Sequence, residues 1–401
     1  MNPIELLALP FRYRPWRPRH LRLILASARG ISRQPVRSHR EHLAACIDWL
    51  CRAQDLREGK SDAGGVSAGW SFEDGWLPSY PETSGYIVET FLAAADQLGR
   101  PGLRERAGRI IDWELSIQNP DGSFPGHFGE PGSHPVVFNT GQIIHGMMAG
   151  HEQLGRDECL EAAVRAGHWM VAQQDDDGCY RRNVHNGVPH TYNTRATWGM
   201  LRAGLAAGDQ TLVTAARRNL DWALTQQNEA GWYATNAFTP DRDPFTHTIA
   251  YAIRGLFECG VLLDEPRYVE SALKAGRAMA RIQRDDGWLA GTYDAAWRPT
   301  AGYCCLTGLA QTSLNWSRMI QETGDESLQP HVDRALDFLK RNHVIRGDGE
   351  VDDGGVAGSA PIWGRYSMFE YPNWAAKFFA DALMMDDCRC AVPPVNRETR
   401  T

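Results

Sequence analysis

No Cys-x-x-Cys pair occurs in this chain of 401 residues, so the spacing that builds a zinc ribbon or a thioredoxin-type redox site is missing. The nine cysteines are odd in number and mostly set in apolar helical context, which favours a reducing, cytoplasmic compartment. Long apolar runs are missing too. Leu21–Ala26 is too short and too interrupted for a signal peptide or a membrane span, and this suits a biosynthetic role better than degradation of an external polymer. Positive charge is not in excess: a net charge of −7 argues against nucleic acid as the main partner. Nothing in the sequence calls for a metal or another cofactor.

What is present is a repeat. Clusters of Gln, Asp, Gly and an aromatic residue end successive helix-like stretches at 118–124, 173–180, 226–233 and 283–288. After each loop a second stretch opens, near Ser84, Asn139, Asn193, His247, Tyr303 and Asn373, at spacings of 55, 54, 54, 56 and 70 residues. A period this long with two helices per unit marks a helical array or toroid. Six amphipathic stretches start near Arg40, Gly102, Asp157, Gln210, Pro266 and Gln329, and six others are small and apolar nearly all round. Amphipathic helices belong outside and wholly apolar ones inside. The expected fold is therefore an all-α (α/α)6 toroid over 40–387, between a basic arm at 1–39 and a tail at 388–401. Leu154-Gly155, Ala207-Gly208-Asp209 and Thr323-Gly324-Asp325 read as short C-cap turns. The long loops, and with them the site, then lie at the mouth where inner helices begin.

The helix openings supply the candidate residues. Glu82 and Tyr86 lie on the first, Asn139 and Gln142 on the second, and His190, Tyr192, Asn193 and Arg195 on the third. His247, Tyr251 and Arg254 form an i, i+4, i+7 stripe on the fourth, Tyr303 opens the fifth, and Tyr371 and Asn373 open the sixth. Thr140, Asn193 and Thr248 are also open to a helix-capping role. A buried arginine needs an anionic partner, and few acids fall on inner helices, so Arg195 and Arg254 predict a cationic floor for an anionic ligand. Aromatics in the loops, with Trp76, Trp363 and Tyr366 among those chosen as ligand contacts, suit stacking on sugar rings. Trp70, Tyr80, Phe128, Tyr180, Trp232, Trp288 and Trp297 complete that aromatic set.

These residues point to an acidic, uronate-containing oligo- or polysaccharide. Abstraction of the C5 proton requires the carboxylate to be neutralised and a base and an acid to be placed. His190, Tyr192, His247, Tyr251 and Tyr303 are the acid–base candidates, with Arg195 and Arg254 as the cations. Loss of a leaving group would make a lyase and reprotonation an epimerase. A hydrolase would use a carboxylate pair drawn from Asp74, Glu82, Asp176, Asp177, Asp294 and Asp353. A non-catalytic glycan-binding toroid is the non-enzyme alternative. The arm reads as wrapping the domain, or as contacting an anionic membrane or a biosynthetic complex.

The Gln-x-x-Asp-Gly-x-aromatic clusters at 118–124 and 174–180 resemble the repeats of terpene cyclase and prenyltransferase toroids. The Asp-x-Asp-Asp acid motif of those cyclases is not formed, and Asp-Asp-x-x-Asp is absent, so that resemblance implies architecture more than chemistry. In organisation, residues 60–386 are similar to glycan-active toroids: glucuronyl C5-epimerases, helical-toroid polysaccharide lyases and unsaturated-uronyl hydrolases. The segment from Trp76 to Thr83 resembles the Tyr-Pro-containing loop before an inner helix of the epimerases. The 138–142 and 371–374 segments resemble helix openings of bacterial proteins from polysaccharide gene neighbourhoods. The Asn-Asn-His and Asn-His-Tyr signatures of helical lyases are missing.

Overall fold

A computed structural model describes residues 9–29, 36–128 and 133–391. Its outer helices are α2 (His39–Asp55), α4 (Gly102–Ile117), α6 (Asp157–Gln173), α8 (Gln210–Thr225), α10 (Pro266–Ile282) and α12 (Gln329–Arg341). The inner ones are α3 (Pro81–Leu98), α5 (Val137–Leu154), α7 (Thr194–Ala207), α9 (Thr246–Leu262), α11 (Leu306–Thr323) and α13 (Asn373–Ala391). Each inner helix packs on its two inner neighbours and on the outer helix that follows it, and α13 packs on α2 to close the ring. This is the (α/α)6 toroid that the periodicity predicts. Inner helices bury nearly every residue, as α5 does from Val137 to Gly150, whereas outer helices bury one stripe, as α10 does at Tyr268, Ala272, Ala275 and Met279.

The recurring Gln-Asp-Gly cluster is a clasp between outer helices. Gln174 donates from Nε2 to the carbonyls of Gly178 at 3.1 Å and of Ala215, on the next outer helix, at 2.9 Å. Gln118, Gln227 and Gln283 make the same pair of bonds. Gln54 supplies a further copy, reaching Gly64 and Arg106 across a longer loop. At the α12–α2 joint no glutamine is used: Gly354 lies against the Ala45 carbonyl, beside the buried pair His42 and His343, whose Nδ1 atoms are 2.8 Å apart.

Short sheets knit the mouth. β1 (Gly69–Ser71) is the centre of an antiparallel sheet with β2 (Gly75–Trp76) and β5 (Glu370–Pro372), with Trp70 opposite both Trp76 and Tyr371. β3 (Cys304–Cys305) pairs with β4 (Ser359–Ala360), so the long loop between α12 and α13 is sewn to the openings of α3 and α11. Inner helices α3, α5, α7 and α11 end at left-handed glycines, Gly99, Gly155, Gly208 and Gly324.

Helix α1 (Pro18–Ala28) of the arm lies against these loops. Tyr13 packs on Phe369 at 4.7 Å, His20 on Phe72 at 4.2 Å, and Arg22 pairs with Asp352 at 2.9 Å. Arg40, in the first turn of α2, donates to the carbonyls of Gln97 and Leu98 at the end of α3. α13 continues to Ala391, past the expected boundary at 387, and 392–401 lie outside the described residues. Among the described residues no helix is long and apolar enough to cross a membrane.

Two glycines separate the two costs of substitution. Gly178 has φ +87 and a Cβ there would stand 2.2 Å from the Arg218 carbonyl oxygen, whereas Gly208 has φ +67 with nothing near. Gly208→Ala carries only left-handed strain, about 1 kcal/mol, while Gly178→Ala also forces two outer helices apart, for ~3 kcal/mol or more. Urea denaturation of the two variants measures the difference, and equal losses would deny the clasp its structural role.

Candidate active site

The openings of the inner helices and the 365–374 loop enclose a pocket of about 300 Å³, at the small end of the range for ligand sites. Among the described residues, Glu82 is its one lining carboxyl group. Pro81 begins α3 at a position that needs no backbone donor, which puts Glu82 in the first turn and Tyr86 one turn below it. Tyr80 donates from its hydroxyl to Glu82 Oε2 at 2.8 Å, and Asn139 Nδ2 donates to that hydroxyl at 3.3 Å. A helix N-terminus favours a carboxylate, but burial wins. Desolvation pushes the Glu82 carboxyl up to about 7, opposed by the Tyr80 hydrogen bond.

The rest of the lining is mostly aromatic, with Thr248 and Ser367 as small polar members. Tyr80, Tyr86, Phe138, His185, Tyr192, Phe238, Phe245, His247, Tyr251, Tyr366 and Trp374 face the space, with Arg365 exposed at the rim. Burial holds Tyr80, Tyr86, Tyr192, Tyr251 and Tyr366 above the ordinary phenol range, so these hydroxyls stay protonated and act as hydrogen-bond donors. Among the described residues the Tyr192 hydroxyl is buried without a partner. That of Tyr251 is also unsatisfied, its approaches to Tyr86 and Gln311 falling short of good hydrogen-bond geometry. His247 Nδ1 lies 2.7 Å from Gln311 Oε1. Because a carbonyl oxygen only accepts, Nδ1 carries the proton and Nε2 is bare. Burial depresses this imidazole to about 3, so it stays neutral and is a weak base.

Sequence reasoning placed more residues here than the fold brings together. Glu82, Tyr86, Tyr192, His247, Tyr251 and Tyr366 do line the pocket. His190 is behind Tyr192, stacked on its ring at 4.5 Å with Nε2 2.9 Å from the His185 carbonyl oxygen. Asn139 touches the pocket only through Tyr80, and Asn193 is buried nearby with Nδ2 unpaired. Thr248 bonds to the Phe245 carbonyl and Thr140 accepts from the Phe124 amide, so neither caps its helix.

Several expected residues lie elsewhere. Arg195 and Arg254 are the main correction: they line a different cavity of about 860 Å³ on the other side of the lumen. A plug separates the two spaces, with Phe378 packed 5.5 Å from Tyr86 and 5.7 Å from Tyr251. Arg254 Nε is 2.8 Å from Glu258 and Arg195 Nε is 3.4 Å from Gln142 Oε1, which occupies Gln142 away from the mouth. Tyr303 is half-buried outside the lining, packed by Gly291 and Gly364. Asn373 is a structural tie, donating to the Ser67 carbonyl and to Thr83. Trp76 and Tyr371 are fixed in the mouth sheet, Trp76 packing 5.1 Å from Trp49, and Trp363 faces solvent. In the aromatic ring expected to meet sugar, only Tyr80 and Tyr366 reach the pocket. Tyr180, like the matching Phe124 and Tyr233, is core because its cluster forms the clasp.

His185, Phe238, Phe245, Gln311 and Arg365 were missed. Phe245 precedes a helix opening just as Tyr80 does, a signal that was readable. His185, Phe238 and Arg365 depend on which loops meet over the mouth, and Gln311, inside α11, on that helix facing His247. Among the described residues no group of three or more His, Cys, Asp or Glu side chains is placed to hold a metal ion.

Comparison with known proteins agrees on architecture. Residues 78–262, less than half of the chain, match the family model described as the squalene-hopene cyclase C-terminal domain. No curated protein matches the sequence. Among solved structures, an unsaturated glucuronyl hydrolase from a Bacillus species is similar at 14% identity and TM-score 0.68, over 86% of this chain and 96% of that one. Cellobiose 2-epimerase from Bacillus thermoamylovorans is similar at 11% and 0.68, covering 86% and 97%. A polysaccharide lyase is similar at 12% and 0.62, covering 88% and 99%. The chain has the α/α toroid fold that these glycan enzymes share; identities this low fix the fold and leave the reaction open.

The Glu82 carboxyl gives the site a pH signature. Its folded value, about 7, exceeds the ordinary 4.5, so the folded state holds the proton more tightly. Stability from this group is complete below about pH 4.5 and is lost as pH rises through about 7. Glu82→Gln removes the penalty, gaining up to ~3 kcal/mol over wild type near pH 8 and little near pH 4. Denaturation midpoints at both pH values measure this; parallel pH profiles would show an unperturbed carboxyl group.

Proposed function

We propose that the chain is a carbohydrate-active enzyme that transfers a proton to or from a saccharide through Glu82. The observation that carries this reading is the one carboxyl group that lines the pocket among the described residues, raised to about 7, among hydroxyl-bearing aromatic rings at the mouth of a toroid. A group titrating near neutrality is matched to general acid–base work, and aromatic faces with phenolic donors suit a pyranose ring. The fold's occurrence in a glucuronyl hydrolase, a sugar epimerase and a polysaccharide lyase supports the substrate class.

C5-proton abstraction from a uronate is the finer reading, with roles that differ from those the sequence suggested. Glu82 is the base, a neighbouring tyrosine such as Tyr192 donates to the developing oxyanion or the leaving oxygen, and Arg365 at the rim meets the carboxylate. Tyrosine as base is disfavoured because burial raises these phenols, and at Tyr251 it outweighs the lowering pull of Arg195. A glycosidase pair finds little support: Asp177 and Asp294 are engaged by Arg181 and Arg298, and Asp353 accepts from the amides of a loop. Asp74 and Asp176 are likewise absent from the pocket lining.

One observation favours a second reading. With Arg195 and Arg254 outside it, the mouth pocket is mostly aromatic, and the matched family model is that of a terpenoid cyclase domain. An isoprenoid double bond protonated by Glu82 fits such a lining.

Incubation in deuterium oxide separates these. Uronate oligosaccharides should take up solvent deuterium at C5 or yield an ultraviolet-absorbing unsaturated product. Glu82→Gln should lower turnover by ~10²-fold or more, and Arg365→Ala should chiefly raise KM. Wild-type turnover in Glu82→Gln removes the reading, and cyclised product from an isoprenoid with inert saccharides replaces it with the second.

A further inference from the structure

The arm's outward face is both greasy and basic. Among the large apolar side chains left in solvent are Phe11 at 76%, Trp16 at 59%, Leu21 at 45% and Leu25 at 46% exposure. Leu21 and Leu25 stand one turn apart on α1, so they form a stripe. The opposite face is pinned: His20 and Leu23 are buried, and the Ile362 amide donates to Ser27 Oγ at 2.8 Å. That bond sets the end of α1 beside the 361–366 loop, whose Trp363 is 41% exposed. Among the described residues these side chains stay uncovered, although α1, which carries Leu21 and Leu25, is held firmly in place.

The charges sort into two groups. Arg12, Arg19 and Arg22 pair with Glu73, Glu350 and Asp352 and fix the arm to the toroid. Arg14, Arg17 and Arg29 form no ion pair among the described residues, and Arg365 is exposed at the pocket rim. Unpaired guanidinium groups interleaved with Trp, Phe and Leu are the composition of a helix lying in a lipid headgroup layer. Trp rests at that interface, and each surface cation near anionic lipid contributes roughly 1 kcal/mol.

We infer that this face is a docking surface for an anionic lipid bilayer, with α1 lying in the headgroup plane. Through Trp363 and Arg365 the patch is continuous with the rim of the mouth pocket, so docking turns the mouth toward the membrane. A saccharide carried on a lipid would then be presented at the pocket; that consequence rests on the proposed function, whereas the docking does not.

Sedimentation of the full chain with vesicles tests the docking apart from catalysis. The chain should pellet with vesicles in which about a third of the phosphatidylcholine is replaced by phosphatidylglycerol, and not with pure phosphatidylcholine. Raised salt should release it in part. The variants are Trp16→Ser with Leu21→Ser and Leu25→Ser, and separately Arg14→Gln with Arg17→Gln and Arg29→Gln. Each should lower the bound fraction at least tenfold with unchanged circular dichroism. Leu205→Ser with Leu262→Ser, exposed apolar positions away from the arm, should bind as wild type does. Wild-type chain left in the supernatant with anionic vesicles, or unchanged binding by either arm variant, overturns the inference.

Discussion

One amide side chain, repeated around the ring, holds the molecule in register. At the end of an outer helix a glutamine Nε2 is shared between the carbonyl of its own turn and that of the next outer helix, as Gln174 is between Gly178 and Ala215. The glutamine amide is buried where the turn meets the next helix, as Gln174 is, so its two N–H groups are costly to leave unpaired. The turn can approach because its glycine has no Cβ, and the aromatic residue that follows falls into the core. Five such joints use glutamine, and the α12–α2 joint substitutes Gly354 on Ala45 and the His42–His343 pair. Because outer helices set the loops that follow them, the clasps also position the aromatic side chains of the mouth.

Within that frame, desolvation sorts the lumen. Above the Tyr86, Tyr251 and Phe378 plug, an aromatic pocket raises the Glu82 carboxyl toward neutrality and keeps its phenols protonated. Below it, guanidinium groups and acids meet: Arg202 lies 2.6 Å from Glu89, and Lys377 pairs with Asp381. There the Glu89 carboxyl falls to about 2, the attraction of Arg202 overcoming the cost of burial. Glu82 and Glu89 lie on the same helix, and their opposite shifts come from the company each keeps.

The fold was legible in the sequence because its signals are local. Glutamine, glycine and aromatic residues recur within one turn, and the inner helices advertise themselves by being apolar all round. The site was half legible. Glu82, Tyr192, His247 and Tyr251 are readable from the helix openings, but nothing local sets Glu82 apart from the other loop carboxylates, because its burial comes from other helices and a distant loop. Arg254 was drawn into the mouth by the stripe that starts at His247. Seven residues of helix descend about 10 Å, enough to carry Arg254 past the plug that Tyr251 helps to form. Nothing in the stripe itself tells that a side chain from α13, Phe378, divides the lumen between them.

The account turns on Glu82 carrying its proton near neutral pH. Infrared difference spectra of wild type against Glu82→Gln, recorded across pH, follow that proton directly through the carbonyl stretch of a protonated carboxylic acid. The band should be present at pH 5 and disappear with a midpoint near 7, as the burial of this group requires. Its absence at pH 5 would mean an ordinary ionised carboxylate, and the mouth pocket would lose its acid–base group.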